Sequence, residues 1–116
     1  MTTPADLPID LPPERVAKLL AAGSVHVIDV REPYEREAGH IRGSRHVPLA
    51  ELSGAAATID PSVPVVFVCR VGARSAMAAA AFVRAGYDAH NLDGGMLAWA
   101  ASGLALEPED GRVADH

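Results

Sequence analysis

Residues 65–75 read Val65-Val66-Phe67-Val68-Cys69-Arg70-Val71-Gly72-Ala73-Arg74-Ser75, and the fold follows from them. The first four are apolar without alternation, as a strand covered on both faces must be. Beyond Cys69 the pattern changes. A helix rich in alanine is expected over roughly Arg74 to Ala85, carrying Met77, Phe82 and Val83. Strand, short loop and helix in that order form half of a parallel α/β unit. Ligands bind such sheets at the carboxyl ends of the strands, which is where this loop lies.

The loop is suited to an anion. Successive N–H groups of a tight turn, those of Val71 and Ala73 included, can converge inward, and a helix N-terminus behind them adds free donors. Gly72 supplies the backbone angles such a turn needs. A free cysteine ionises near pH 8.5, and helix N-termini or nearby arginines lower that value by about one to several units. The thiolate is the nucleophile. An arbitrary lone cysteine is more often a small buried hydrophobe, but Arg70, Gly72 and Arg74 around Cys69 favour the reactive reading. Two cations on one short loop repel each other unless an anion sits between them, so an anionic substrate is expected. Ser75 falls at the helix start, where its hydroxyl can serve the helix, the Cys69 sulfur, or both.

Outward from the loop, strand alternates with helix. Pro12-Pro13-Glu14 opens a helix whose apolar stripe is Val16, Leu19 and Leu20, with Gly23 as its stop. A strand follows over Val25 to Val30, then a polar, turn-rich stretch from Arg31 to Gly43. A short strand near Arg45 to Val47 and a weak helix near Leu49 to Ala57 come next. After the long helix, Gly86 suits a left-handed cap that lets Tyr87 pack back on Phe82. A strand over Ala89 to Leu92 leads through Asp93-Gly94-Gly95 to a last helix with Met96, Leu97 and Trp99. The expected fold is α/β, a mostly parallel sheet with helices on both faces. Residues 1–8 are expected to be a flexible start, 9–106 the domain, and 107–116 a polar tail that frays.

The chain has 116 residues, 49% hydrophobic and 22% charged, which fits one globular domain and not a disordered segment. A net charge of −5 and the lack of any basic run speak against nucleic acid. No stretch approaches the ~18 apolar residues of a membrane span. Residues 1–10 lack the basic start and apolar run of a signal peptide, and one cysteine cannot form an internal disulfide. A reducing, cytoplasmic setting is expected. The five histidines show no paired ligand spacing, and no glycine motif for a nucleotide is present, so neither metal nor cofactor is expected.

Five motifs in order resemble the rhodanese family. Cys69 to Ser75 matches its C-R-x-G-x-R-S/T loop, and Asp29-Val30-Arg31-Glu32 its D-V-R-E stretch. Gly39-His40-Ile41-Arg42-Gly43 matches G-H-I-x-G, and Val47-Pro48-Leu49 follows as V-P-L. Leu92-Asp93-Gly94-Gly95 with Trp99 matches the L-x-G-G-x-x-x-W close. The resemblance spans roughly Ile9 to Leu104. It implies a five-stranded sheet and a ping-pong sulfur transfer. Cys69 would take the outer sulfur of thiosulfate or a similar anionic donor as a persulfide. Cyanide, a thiol or a protein acceptor would then remove it. Arg70, Val71, Gly72, Ala73, Arg74 and Ser75 would bind the substrate. Asp29, Arg31, Glu32 and His40 would organise the site from behind, each with a structural role as the simpler reading. Arg74→Ala is expected to weaken anion use more than stability.

Two rivals remain at this point. A cysteine phosphatase or arsenate reductase of the related type needs an arginine six residues after the cysteine. Here that position is Ser75, and Arg74 comes one residue sooner. A sulfur-relay or regulatory module acting on a protein partner would share the chemistry but differ in the acceptor.

Overall fold

The computed structural model describes residues 7–115. Most of the expected flexible start, residues 1–6, and His116 lie outside the described residues. The strands are β1 (Asp10–Leu11), β2 (His26–Asp29), β3 (Arg45–His46), β4 (Val65–Val68) and β5 (Ala89–Leu92). They form one sheet in the order β1-β5-β4-β2-β3, with every pairing parallel. The helices are α1 (Pro13–Ala21), α2 (Pro33–Ala38), α3 (Leu52–Ala55), α4 (Ala73–Arg84) and α5 (Gly95–Ala101). Short 3-10 turns at Leu49–Glu51 and Ala56–Thr58 flank α3.

Side chains alternate across β4, and the alternation splits the core in two. Val65, Phe67 and Cys69 face the layer that holds Leu52, Ala78 and Phe82. Val66 and Val68 face the layer of Val16, Met96 and Trp99. Cys69 thus continues the pleat of β4 toward the side covered by α4. Phe67, Phe82 and Tyr87 stack in series at ring-centroid distances of 4.9 and 4.8 Å. The turn at Gly86, with φ +95°, folds Tyr87 back as expected.

The chain leaves β2 toward β3 on one side and leaves β4 toward β5 on the other. Adjacent strands whose exits diverge create a crevice at their carboxyl ends. Asp29 to Glu32 lies at the carboxyl end of β2 and Cys69 to Gly72 at that of β4.

Three features differ from the expectations. The stretch from Arg31 to Gly43 contains a true helix, α2. Pro33 sits in its first turn, and Glu32 and Glu35 close a capping box, each accepting the other's backbone N–H. Strand β1 is only two residues long, so no periodicity marks it; Asp10 and Leu11 pair with Asn91 and Leu92. The described part of the C-terminal stretch is docked on the domain. Glu107 and His40 exchange backbone hydrogen bonds of 2.8 and 2.9 Å, and the Arg112 N–H donates to Ala38 O at 2.8 Å. Gly39 makes this docking possible, because a Cβ there would lie 2.5 Å from the Arg112 carbonyl oxygen.

Candidate active site

The loop after β4 turns its amides toward the sulfur. The Gly72 N–H donates to Cys69 Sγ at 3.1 Å, the Ser75 N–H at 3.4 Å, and the Ser75 hydroxyl lies within reach at 3.3 Å. Gly72 has φ +98° and precedes the first residue of α4. The N–H groups in the first turn of a helix have no intrahelical acceptor, and Ala73 and Arg74 occupy that turn.

The carbonyls of the same loop point the other way, to α5. The Met96 N–H donates to Cys69 O at 2.9 Å and the Leu97 N–H to Arg70 O at 3.0 Å. Gly95 permits this approach: a Cβ there would stand 2.5 Å from both carbonyl oxygens. The Gly94-Gly95 pair, expected as a simple turn, is therefore also the seat of the loop.

Cys69 is 0% exposed. Burial by itself pushes a thiol toward its neutral form. Against it stand the Ser75 hydroxyl and the N–H groups of Ser75, Gly72 and Val71, and together they win. The net effect holds the Cys69 thiol below its ordinary range. A structural cysteine shares the burial but not this convergence of donors.

The guanidinium groups are placed otherwise than expected. Arg74 makes a bidentate pair with Glu35, at 2.9 and 3.0 Å, and Glu35 is wholly buried. Glu35 holds the Arg74 pKa up against burial, with smaller electrostatic support from Cys69 and Tyr34. Arg70 donates to Ala114 O at 3.2 Å and to Asp115 Oδ1 at 3.1 Å. Repulsion between the two cations is thus relieved by carboxylates of the chain itself, and an external anion is not required for it. The sequence could not show these pairs, because both partners are distant along the chain. The lowered Cys69 pKa is the work of hydrogen bonds.

Behind the loop, Arg31 is buried and grips Asp29 through Nε at 2.9 Å and Nη2 at 2.8 Å. Nη2 also donates to Gly39 O at 2.8 Å, and Nη1 has no hydrogen-bond partner. Arg36 reaches Asp29 as well, at 3.3 Å. Glu32 caps α2. The His40 ring lies 3.2 Å from Arg36 O through Nδ1, at the end of α2. These five residues tie β2 to α2 and α2 to the C-terminal stretch. Asp29, Arg31 and His40 make their hydrogen bonds in that frame and not with the sulfur.

Two residues of the site escaped sequence reasoning. Glu35 had a signal, since Glu32-Pro33-x-Glu35 has the spacing of a capping box. Asn91, buried in β5, accepts from the Ser75 hydroxyl at 2.5 Å and donates through Nδ2 to Asp10 Oδ1 at 3.0 Å. Its signal was a lone amide in an otherwise covered strand, a group that needs buried partners.

A cysteine sulfur seated under backbone amides at the end of a central parallel strand suits nucleophilic sulfur chemistry on an α/β sheet. The chain belongs to the rhodanese-like domain family, whose model matches residues 12–102. It is 40% identical over 88 residues to the thiosulfate sulfurtransferase GlpE of Pseudomonas aeruginosa, covering 75% of this chain and 79% of that one. Among solved structures it is similar to a rhodanese-related protein of Thermoplasma volcanium. The TM-score is 0.78 at 25% identity, over 84% of this chain and 95% of that one. A protein of Rhodopseudomonas palustris called a possible tyrosine phosphatase superposes with TM-score 0.74 at 27% identity, over 84% and 83% of the two chains. Family and relatives together make the chain an enzyme of the rhodanese type, a sulfurtransferase.

Proposed function

We propose that Cys69 carries sulfane sulfur from thiosulfate, or a similar small anionic donor, to a nucleophilic acceptor. The observation that carries this reading is the set of donors converging on Cys69 Sγ, which favours the thiolate despite complete burial. In the first half-reaction the Cys69 thiolate attacks the outer sulfur of thiosulfate. A new S–S bond forms, the old one breaks, and sulfite leaves with its electron pair. Cys69 is left as a persulfide anion. In the second half, cyanide or a thiolate attacks the outer sulfur and the Cys69 thiolate leaves. No proton moves in either displacement, so no general acid or base is called for. The loop needs only fixed dipoles that stabilise negative charge, and the amides of Gly72, Ala73, Arg74 and Ser75 are such dipoles.

Arg70 and Arg74 enter this reading as groups that hold the loop and keep its surroundings cationic. Arg74 works from its pair with Glu35, and Arg70 from a more exposed pair whose Asp115 side chain is 99% exposed and easily exchanged. The spacing from cysteine to arginine, one residue shorter than a phosphatase loop, favours a sulfur atom over a tetrahedral phosphate. A lone cysteine that must remain a thiol goes with a reducing, cytoplasmic setting.

Mass measurement of the intact protein after thiosulfate treatment tests the proposal. The chain should gain one sulfur atom, lose it on adding cyanide, and gain none as Cys69→Ser. Normal thiosulfate turnover by Cys69→Ser would overturn it.

A further inference from the structure

Ser75 has one hydroxyl proton and two acceptors in reach. Its Oγ lies 3.3 Å from Cys69 Sγ and 2.5 Å from Asn91 Oδ1. A hydroxyl donates once. Asn91 cannot escape the contest by turning its amide over. Its Nδ2 is engaged with Asp10 Oδ1 at 3.0 Å, and a flipped amide would set oxygen against carboxylate. Ser75, Asn91 and Cys69 are all buried, so water does not supply the missing donor cheaply.

The allocation depends on the state of the sulfur. A neutral thiol donates its own proton to Ser75 Oγ, and Ser75 donates onward to Asn91, so every group is served. A thiolate brings no proton. If Ser75 turns to it, Asn91 Oδ1 is left buried without that donor; if Ser75 stays, the thiolate rests on backbone amides alone. In the persulfide the charge has moved to the outer sulfur, and Ser75 can serve Asn91 again. The charged groups around this network are Asp10 on β1, the Arg74–Glu35 pair between α4 and α2, and Arg70 on the loop.

We propose that Asn91 is a positioning residue that competes with the Cys69 thiolate for the Ser75 proton, weakening that bond and leaving the sulfur more nucleophilic. This deepens the assignment of Cys69 as the nucleophile and rests on it. A thiolate with a lower pKa is also a weaker nucleophile, with a Brønsted slope of about 0.4–0.5. Freeing Ser75 should therefore ease ionisation and slow attack at the same time.

The test is the pH profile of Cys69 alkylation by iodoacetamide. Asn91→Leu should lower its midpoint by about one pH unit, a typical effect of one hydrogen bond to a charged group. Its plateau rate at high pH should fall about threefold. Asp10→Ala, an exposed change that lets the Asn91 amide turn, should shift both in the same direction and keeps the question open to test if Asn91→Leu fails to fold. In a Ser75→Ala background neither substitution should move either quantity. An unchanged midpoint in folded Asp10→Ala and Asn91→Leu would overturn the proposal. So would an equal shift without the Ser75 hydroxyl, which would mark a general charge or packing effect. Alkylation reads the thiolate without any sulfur donor. A protein that alkylates as expected yet gains no sulfur from thiosulfate would sink the transfer reaction and leave the role of Asn91 standing.

Discussion

Replacing Arg74 by alanine removes the guanidinium that Glu35 grips with both carboxylate oxygens, at 2.9 and 3.0 Å. What remains is a carboxylate at 0% side-chain exposure that has lost this ion pair and still accepts from the Glu32 N–H. Breaking a buried pair by removing one partner costs about 3–5 kcal/mol. The Arg74 side chain is 25% exposed, so water already shares in the pair, and the lower end of the range, about 3 kcal/mol, applies. For 116 residues, an unfolding entropy of about 2.1 cal/mol/K per residue makes each kcal/mol worth about 4 °C. The expected fall in Tm is therefore about 12 °C. Removing both charges, as Arg74→Met with Glu35→Leu, should cost less than Arg74→Ala alone, because neither charge then stays inside. Thermal denaturation followed by circular dichroism measures this, beside thiosulfate–cyanide kinetics on the same samples. A fall in Tm of under about 4 °C, with KM for thiosulfate raised tenfold or more, would refute the reasoning. Arg74 would then belong to the substrate, as the sequence alone suggested, and not first to Glu35.

Two further outcomes are expected. Burial raises the Cys69 pKa, and donors from Ser75, Gly72 and Val71 lower it by more, so the folded chain ionises at lower pH than the unfolded one. The stabilisation this contributes is fully present above the unfolded thiol's pKa and is lost as pH falls through the folded value. The alkylation midpoint of folded protein should accordingly lie below that of the chain in denaturant; a midpoint at or above it would contradict the hydrogen-bond account. Gly95→Ala should cost far more stability and activity than Gly103→Ala. Both glycines have positive φ, +62° and +77°, but only at Gly95 would the new Cβ meet the Cys69 and Arg70 carbonyls. Equal losses in Tm for the two variants would show that backbone strain, not the close approach, fixes Gly95.

Much of the fold could be read in advance where local rules agree. The apolar run of β4, the alanine-rich α4, the Gly86–Tyr87 cap and β5 each carry their own signal, and Val65–Val68 and Ala89–Leu92 fall where the sequence placed them. Helix α2 was missed because its cap is a glutamate and not Ser, Thr, Asp or Asn. Strand β1 is too short to show a period. The docking of the C-terminal stretch has no local mark at all, since it depends on Gly39 being narrow enough for Arg112 to pass. In the site, the cysteine, the loop and the Ser75 contact were legible, because loop type and helix start fix them within a few residues. The partners of the arginines were not. Glu35 lies 39 residues from Arg74, and Asp115 lies 45 from Arg70. No pattern rule reaches that far, so the sequence shows two bare cations where the fold has two ion pairs.

That difference changes how the Cys69 sulfur is held. With each guanidinium already answered by a carboxylate, the local field at Sγ comes mainly from oriented N–H dipoles, which act only at short range. Such dipoles are useful only if the loop cannot turn over and offer its carbonyls instead. The N-terminus of α5 prevents this: Met96 and Leu97 hold the Cys69 and Arg70 carbonyls at 2.9 and 3.0 Å. Holding them so close demands a residue without a side chain at position 95. The Cys69 loop and the Gly94-Gly95 turn, which look like separate motifs in the sequence, are therefore two halves of one device. One half aims the amides at the sulfur, and the other anchors the opposite face of the same peptide groups.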